Sequence, residues 1–585
     1  MPYEPRRSLI RGSPLAAGLI IATGLAAGWW ADAARAQAPP PPIPPGVLAP
    51  LTPPAQRVLP QEQPEIVPPA PPPGPVGPPP SGEPVRVDRI RIEGVTIYDT
   101  AGLEATYADA VGPAVPRGRL DAIVQALQAR YRDEGYILSL VRGEFVRSGA
   151  EVVFVVRAIE GYISDVKLDG DIGPAGVLVL EMLDHLLERR PVNNADLERY
   201  LLLANDIPGV KARAVLRREG AEPGAVALVA QVSRREFSGL LNYDNRGPKE
   251  AGPHEILLSG ASNSFTRFGE RFEALFFNTF NQEQFFGQVN ADGFIGSDGL
   301  KGHLYIGRGN TQPGGALEGV GYNGDLTIGG GSVSYPVMRS RRFNLFWDTG
   351  LDTYQSQITL APGGGVPPSR QDSRLLIWRA GGYADIQDAL FFEFPAATAL
   401  NFHGSQGLAG ISQTRPSNRV EFSKIAGDLT RVQDLLTIDT VRTALKLSVG
   451  GQYSDHILPP SEKYFLGGTR FGRGFFNGEV TGDRAIGSTV ELQLNTAFTD
   501  VPFAPADYRL PAQFYGFWDF GRGYNLGVSE PSHTVQSLGI GVRSDLTPWL
   551  FTELEGVHRL TTHPQGAAAA TEASYAFFAR VTMHY

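Results

Sequence analysis

Tyr515-Gly516-Phe517-Trp518-Asp519-Phe520-Gly521 is the segment that most tightly constrains how this chain folds. In an extended strand, successive side chains point to opposite faces, so Phe517 and Asp519 share one face while Trp518 and Phe520 share the other. A carboxylate that faced lipid would be costly. The alternation therefore predicts a strand with large aromatic side chains on a lipid-facing surface and Asp519 on an enclosed, wet one.

A segment earlier in the chain can supply a cation for that carboxylate. It reads Leu466-Gly467-Gly468-Thr469-Arg470-Phe471-Gly472-Arg473-Gly474-Phe475. Its glycines permit tight backbone geometry and close approach to a wall, and a guanidinium can hold a carboxylate through two hydrogen bonds. The segment is too long and glycine-rich for a hairpin turn. We therefore predict a loop folded inward that carries Arg473 towards Asp519, with Arg470 as the weaker alternative.

The region from residue 237 to residue 585 consists of alternating apolar and polar residues, interrupted by Gly, Asn, Asp and Pro. Strands that are apolar on one side only suit either a soluble sandwich or a membrane barrel with a wet lumen. If strands of about ten residues are joined by short and long loops in alternation, the length of this region accommodates sixteen strands. A barrel of that size can enclose an aqueous channel.

The final strand favours the membrane alternative. It places Phe577, Ala579, Val581, Met583 and Tyr585 on one face, and an exposed edge of this kind in a soluble sheet would invite aggregation. The predicted fold class is therefore membrane all-β: a 16-stranded antiparallel transmembrane β-barrel over residues 237–585, with its inward-folded loop near residues 466–485.

A β-α-α-β-β pattern occurs twice before the barrel, and such internal repetition predicts two small α+β domains, at residues 85–161 and 162–235. The first has strands at Ile90–Ile92, Leu138–Phe145 and Val152–Ile159 and helices at Leu103–Val111 and Leu120–Tyr131. The second has strands at Ile163–Leu168, Lys211–Arg217 and Ala225–Val232 and helices at Val177–Leu187 and Ala195–Ala204.

The N-terminal 84 residues have a composition of their own. A secretory signal has a charged region, an apolar region and a site of small residues, in that order. Here the order is met by arginines, an uncharged apolar run at 15–30 and Ala34-Arg35-Ala36. We therefore predict a signal peptide at 1–36 with cleavage before Gln37. An uncleaved membrane helix is the alternative. Residues 37–84 are proline-rich and predict an extended linker, while a ligand for a proline-recognising domain has no other support.

Composition excludes several classes of function. The chain has no cysteine, which removes disulfide frameworks, cysteine zinc sites and thiol nucleophiles. Its nine histidines form no HExxH pattern, and no placed Ser/His/acid set suggests hydrolysis. The net charge of -9 gives no electrostatic footprint for nucleic acid. We therefore expect no enzymatic activity, no metal, no cofactor and no nucleic-acid partner.

Both repeated units resemble POTRA domains, the periplasmic modules that precede outer-membrane transport barrels. Asn205-Asp206-Ile207-Pro208-Gly209-Val210 is similar to a segment of the two-partner secretion transporters, the filamentous-haemagglutinin and haemolysin exporter family. Tyr243-Asp244-Asn245-Arg246-Gly247 resembles the first barrel hairpin of the same family, although a plain polar turn explains it equally well. The Pro-Pro-Gln common near the last hairpin of the first domain is absent here.

The two opening segments resemble motifs of that family. Its inward-loop motif Val-Arg-Gly-Tyr/Phe corresponds to Gly472-Arg473-Gly474-Phe475, and its wall motif Phe-x-Asp-x-Gly to Phe517, Asp519 and Gly521. The resemblance implies that Arg473 pairs with Asp519 and holds the loop in the lumen. Taken singly, Arg473 would be an ordinary charge on a loop, and Asp519 would be an ordinary acid lining a pore. Tyr585, an aromatic residue closing an amphipathic strand, resembles the C-terminal recognition signal of outer-membrane barrels.

The resemblance implies a protein of the Gram-negative outer membrane with its N-terminal domains in the periplasm. Those domains would capture an unfolded exoprotein, haemolysin-like or adhesin-like, and the barrel would conduct it outward. Outer-membrane lipid and, during biogenesis, the barrel-assembly machinery would be further partners. The family's N-terminal plug helix has no convincing counterpart in residues 37–84. No GxxxxGK[ST] motif is present, so folding of the cargo outside the cell would supply the driving force.

Two other functions stay open from the sequence. An insertase that places other barrels into the membrane belongs to the same superfamily, but it usually carries more POTRA units than two. A passive porin has the barrel but has no need of periplasmic binding domains.

Overall fold

The computed structural model describes residues 66–67, 84–218, 222–361, 367–390, 393–412, 420–499, 509–527, 531–564, 566 and 571–585. The predicted signal peptide and nearly all of the predicted linker lie outside these residues. Of the linker, strand β1 (Ile66–Val67) is described. Among the described helices, none has the length and apolarity needed to cross a membrane.

Domain 1 is a small α+β unit. Its elements are β2 Val85–Val87, β3 Arg89–Glu93, α1 Thr100–Thr106, β4 Gly112–Val115, α2 Arg117–Asp133, β5 Leu140–Ser148 and β6 Glu151–Ile159. Helix α2 buries Leu120, Ile123, Leu127 and Tyr131 at helical spacing. Helix α1 ends five residues before the predicted Val111, because the chain leaves the helix to pair β4 with β2. Strand β5 forms one edge of the sheet β3-β6-β5.

Domain 2 repeats the pattern with β7 Tyr162–Asp169, α3 Ala175–Asp184, α4 Asn194–Asn205, β8 Val210–Arg218 and β9 Ala225–Arg234. The side chain of Asn193 caps α4 by accepting a hydrogen bond from the Ala195 amide. The sheet order is β1-β8-β9-β7. Strand β1 lies parallel to the outer edge of β8, opposite Ala214 and Val215, so two linker residues cover part of that edge.

Sixteen strands of the described ranges form a closed antiparallel barrel, which confirms the predicted fold class. In chain order they are β10 Phe237–Asp244, β11 Glu255–Asn263, β12 Arg271–Thr279, β13 Gln284–Phe294, β14 Lys301–Thr311, β15 Tyr322–Arg339, β16 Phe343–Leu360, β17 Ser369–Asp388, β18 Ala396–Ser412, β19 Ser423–Ile438 and β20 Val441–Ser454; a short hairpin of β21 Tyr464–Leu466 and β22 Val480–Gly482 intervenes before β23 Arg484–Phe498, β24 Leu510–Tyr524, β25 His533–Thr547, β26 Leu550–Arg559 and β27 Tyr575–His584. Strand β27 pairs with β10 and closes the barrel.

The wall alternates as strand geometry requires. Trp518 is 38% exposed on the outside, whereas Asp519 is 0% exposed. Leu492 and Leu494 of β23 are exposed, while Glu491 and Gln493 between them are buried. Apolar side chains therefore face the membrane and polar ones face the interior.

Domain 2 is attached to the barrel rim by the segment Asn205–Val210. Arg339, the last residue of β15, donates two hydrogen bonds to the Asp206 carboxylate, at 2.9 and 2.7 Å. Lys301, the first residue of β14, donates to the Asp206 carbonyl at 3.1 Å. The Ser264 hydroxyl donates to the Pro208 carbonyl at 2.6 Å. The segment Asn205–Val210, which resembles a segment of the two-partner secretion transporters, therefore forms the junction between domain 2 and the barrel.

Replacing Asp206 by alanine should loosen this junction, because Arg339 is only 4% exposed in its side chain and would lose its charged partner. Loss of one member of a buried pair costs about 3 kcal/mol, so we expect amide hydrogen exchange in α4 to accelerate by about a hundredfold. The matched control is Asp165→Ala, which breaks the exposed pair with Lys167 and should change little. The double variant Asp206→Arg/Arg339→Asp should recover protection; exchange equal to that of Asp206→Ala would contradict the clamp.

Candidate functional site

The inward loop, residues 455–483, lies between β20 and β23 and carries the hairpin β21–β22. Strands β23 and β24 are neighbours in the wall, with Glu491 opposite Phe517 and Thr489 opposite Asp519. Because strand parity directs Glu491 and Asp519 inward, two carboxylates face the loop from neighbouring strands, two residues apart in register.

Arg473 occupies the tip of the loop and contacts both carboxylates. Its Nε and Nη2 donate to the two oxygens of Asp519, each at 3.0 Å, and its backbone amide donates to Oδ2 at 2.9 Å. Its Nη1 forms a hydrogen bond with Glu491 and lies 3.7 Å from Glu555 Oε1. One guanidinium thus binds one carboxylate bidentately and reaches two more, an arrangement that its planar fork allows.

The tip is almost completely shielded from solvent. Arg473 is 3% exposed, Asp519 and Glu491 are each 0% exposed, and the guanidinium lies 3.6 Å from the centre of the Phe517 ring. Burial by itself lowers the pKa of Arg473, but the attraction of Asp519 and Glu491 outweighs it and the pKa is raised above its usual range. The guanidinium is therefore permanently charged and held by its anions.

Further arginines share these carboxylates. Arg543 of β25 donates to Glu491 at 3.0 Å and also binds Glu553. Arg246, in the turn after β10, binds Glu555 and is 1% exposed. Its carbonyl accepts a hydrogen bond from the loop residue Asn477 at 2.9 Å. The tip is thus part of a charge network that runs around the inner wall.

The loop backbone is fitted closely to the wall beside Arg473. The Gly474 amide donates to the Ser537 hydroxyl at 3.2 Å, and Arg559 donates to the Gly474 carbonyl. A Cβ at Gly474 would lie 2.8 Å from the Ser537 Cβ, so no larger residue fits there without movement. Gly472 has φ of 89°, a conformation that side chains with a Cβ disfavour.

Gly472 stands where the family motif has valine, and Phe475 stands where the motif has tyrosine or phenylalanine; both choices have structural explanations. A valine at 472 would combine this positive φ with a Cβ only 2.9 Å from Val535 Cγ2, so the glycine suits this backbone. Phe475 is 1% exposed and belongs to an apolar cluster with Phe471 and Val535, where a tyrosine hydroxyl would require a partner. Both residues therefore suit the packing beside Arg473.

The remaining residues singled out by the sequence take different positions. Gly521 lies beneath the loop, where a Cβ would be 2.9 Å from both Leu466 and Val535 side chains. Tyr585 is exposed at the C-terminus and exchanges backbone hydrogen bonds with Gly239. Arg470 has a side chain 53% exposed and contacts Asp428, so the structure brings Arg473, and not Arg470, to Asp519.

Sequence reasoning missed several charged residues of the site, among them Glu491, Glu555 and Arg246. Glu491 lies between Val490 and Leu492, and the same parity that turned Asp519 inward would have turned it inward too. Glu555 offered a similar clue, since it lies between Leu554 and Gly556 in an alternating strand. Arg246 gave no such signal, because a turn has no parity and its burial depends on the loop that folds over it.

Fold and site together define the class: an outer-membrane β-barrel with a loop anchored in its lumen and periplasmic domains at its rim. The family model for the Omp85 superfamily domain matches residues 402–548, which include the loop, Glu491 and Asp519. The model for the ShlB-type POTRA domain matches residues 85–144.

The relatives agree with this class. The heme/hemopexin transporter protein HuxB of Haemophilus influenzae (strain 86-028NP) is 21% identical over 456 residues, 74% of this chain and 76% of that protein. CdiB from Escherichia coli has a TM-score of 0.67 at 16% identity, covering 89% of this chain and 93% of that one. CdiB from Acinetobacter baumannii has a TM-score of 0.59 at 15% identity, covering 86% and 90%.

The chain therefore contains a match to the Omp85 superfamily domain and a match to the ShlB-type POTRA domain, and together with the relatives these matches support a two-partner secretion transporter. It is a protein of the outer membrane, with its N-terminal domains in the periplasm.

Substitutions at residue 472 test how tightly the tip is fitted. Gly472→Ala should destabilise the loop by about 1 kcal/mol through its positive φ, and Gly472→Val by more, because the branched side chain also meets Val535. Heat-modifiability of the folded barrel on gels measures the loss. Adding Val535→Ala should recover the steric part of the Gly472→Val cost but leave the backbone part. Equal stability of Gly472→Val and the unaltered protein would contradict the fit described here.

Proposed function

We propose that this chain exports a partner polypeptide in unfolded form, with the anchored loop controlling the pore. The observation that carries the proposal is the burial of Arg473 among Asp519, Glu491 and Glu555 inside a barrel that has periplasmic domains at its rim. A loop held by such contacts occupies the lumen in the resting state. Moving it would open a hydrated channel wide enough for an extended chain.

The proposed handling of cargo starts at domain 1. An unfolded chain can be bound by adding a strand to an exposed sheet edge, where main-chain hydrogen bonds supply affinity. Strand β5 offers such an edge: it is the outermost strand of its sheet and exposes Phe145 and Val146. The corresponding edge of domain 2 is partly covered by β1. We therefore assign first capture of cargo to β5.

The proposal includes the organisation and partners expected from the sequence. Residues 1–36 act as a signal peptide, 37–84 as a linker, 85–161 and 162–235 as POTRA domains, and 237–585 as the barrel. Tyr585 marks the last strand for the barrel-assembly machinery, and the exposed outer side chains contact outer-membrane lipid. The relatives carry the names of transporters, which supports transport without enzymatic catalysis.

Replacing Arg473 by alanine should abolish export while the barrel still inserts. The change leaves buried carboxylates on β23, β24 and β26 without their shared cation, at a cost of about 3–5 kcal/mol, and frees the loop tip. The matched control is Arg470→Ala, which removes a half-exposed arginine of the same loop and should export normally. The measurement is secreted cargo in the medium against folded barrel in the membrane.

Normal secretion by Arg473→Ala would overturn the proposed role of the tip. Undiminished cargo secretion together with loss of other barrel proteins from the membrane would instead indicate an insertase.

A charge on the edge of β5 should block capture. Val146→Lys places an ammonium beside the edge amides, and charged side chains on edge strands oppose pairing with another chain. We expect cargo to accumulate in the periplasm while pore conductance stays unchanged. Val111→Lys is the control, because Val111 is equally exposed in domain 1, at 41% against 42%, but lies outside the sheet edge. Equal export by both variants would remove β5 from the capture step.

A further inference from the structure

The foot of the inward loop carries a second buried charge cluster, separate from the tip. A short 3₁₀ turn at Pro460–Glu462 directs Glu462 into the lumen, where it is 3% exposed. Arg379 of β17 donates to its two oxygens at 2.7 and 3.1 Å, and Lys424 of β19 lies 2.9 Å from Oε2. Glu462 thus binds two cations on two different wall strands.

Backbone contacts reinforce this attachment. Lys424 donates to the Glu462 carbonyl at 2.7 Å, and Gln452 of β20 donates to the same oxygen at 3.0 Å. Burial opposes ionisation of Glu462, but Lys424 and Arg379 outweigh it and lower its pKa to about 2. The attraction of Arg379 and Lys424 therefore favours the ionised carboxylate at the foot.

The cluster extends along the wall away from the tip. Arg379 also binds Asp352 of β16 at 2.5 Å and Ser405 of β18 at 2.9 Å, and the Tyr305 hydroxyl of β14 donates to Asp352 at 2.8 Å. The tip contacts side chains of β23 to β26 instead. Because the two sets of wall strands differ, the foot can separate from its strands while the tip stays in place.

A cavity of about 150 Å³ lies directly beside the foot. Strands β13 to β17 contribute most of its lining, which includes Gln288, Asp325, Asp352 and Tyr354. Ser461 and Glu462 form the part contributed by the loop, and the Ser461 hydroxyl is buried there. Movement of the foot would therefore enlarge this cavity along the wall.

We propose that Glu462 is a second positioning residue of the inward loop, a latch whose release from Arg379 and Lys424 opens a route along β13 to β17. The inference rests on the proposed export function for its purpose, but the latch itself is a property of the barrel. It assigns separate tasks to the ends of the loop: the tip keeps the loop in the lumen, and the foot closes the path beside it.

The test compares Glu462→Gln with Asp325→Asn. Glutamine keeps the size of the side chain but loses the charge attraction to Arg379 and Lys424. Asp325→Asn removes a carboxylate that lines the same cavity but belongs to wall strand β15 and not to the loop. In planar bilayers without cargo, we expect Glu462→Gln to raise pore conductance clearly, whereas Asp325→Asn should behave like the unaltered protein.

A chemical readout is available because the chain has no cysteine. A single Ser461→Cys reporter, in otherwise full-length protein, should react slowly with a membrane-impermeant thiol reagent. Adding Glu462→Gln should accelerate labelling by at least about tenfold, since losing a buried ion pair shifts local opening by at least that factor. Adding Asp325→Asn should not.

Equal conductance and equal labelling for the two variants would overturn the latch. If Glu462→Gln fails to give a heat-modifiable barrel, Lys424→Gln replaces it, because that variant removes one cation and leaves Arg379 to hold the carboxylate. Neither readout uses cargo, so a latch that opens in a protein with no export activity would refute the proposed function and leave this inference standing.

Discussion

The burial of Arg473 among three carboxylates is the interaction on which the barrel interior depends. A buried charge without its partner costs several kcal/mol, and the fully buried Asp519 is ion-paired with Arg473 of the loop, whereas Glu491 is also held by Arg543 of the wall. The tip cannot withdraw without leaving Asp519 without this cation. The position of the tip is therefore expected to be two-state, engaged or released, and such an element can act as a gate.

The wall composition around the loop follows from the same contact. Where the loop packs against β23 and β24, the inner face carries glycine: a Cβ at Gly487 would lie 2.5 Å from the Phe471 ring, and one at Gly521 would meet Leu466. Where Arg473 arrives, the face carries carboxylates. The small residues of the wall leave room for the loop, and its acids bind the guanidinium of Arg473. Loop and wall are therefore complementary in shape as well as in charge.

Alternation allowed the sequence to predict the barrel, its sixteen strands and the inward direction of Asp519, because parity is a local property that any strand displays. Helix α2 of domain 1 followed from helical spacing in the same way. The foot cluster was not predictable by this reasoning: Glu462 lies in a loop without periodicity, and Arg379 and Lys424 are distant in sequence. Only the closed barrel brings them together, so their pairing is a property of the tertiary fold.

Domain 2 is docked on strands that also line the cavity beside the foot cluster. Asp206 binds Arg339 at the end of β15 and Lys301 at the start of β14, so the domain is docked where these two neighbouring strands meet the rim. The same strands form part of the cavity beside Glu462. Among the described contacts, hydrogen bonds and ion pairs of the loop go to β11, β17, β19, β20 and β23 to β26. An extended chain released from domain 2 at β14 and β15 would therefore meet the wall on the side of the foot, and Glu462 borders that passage.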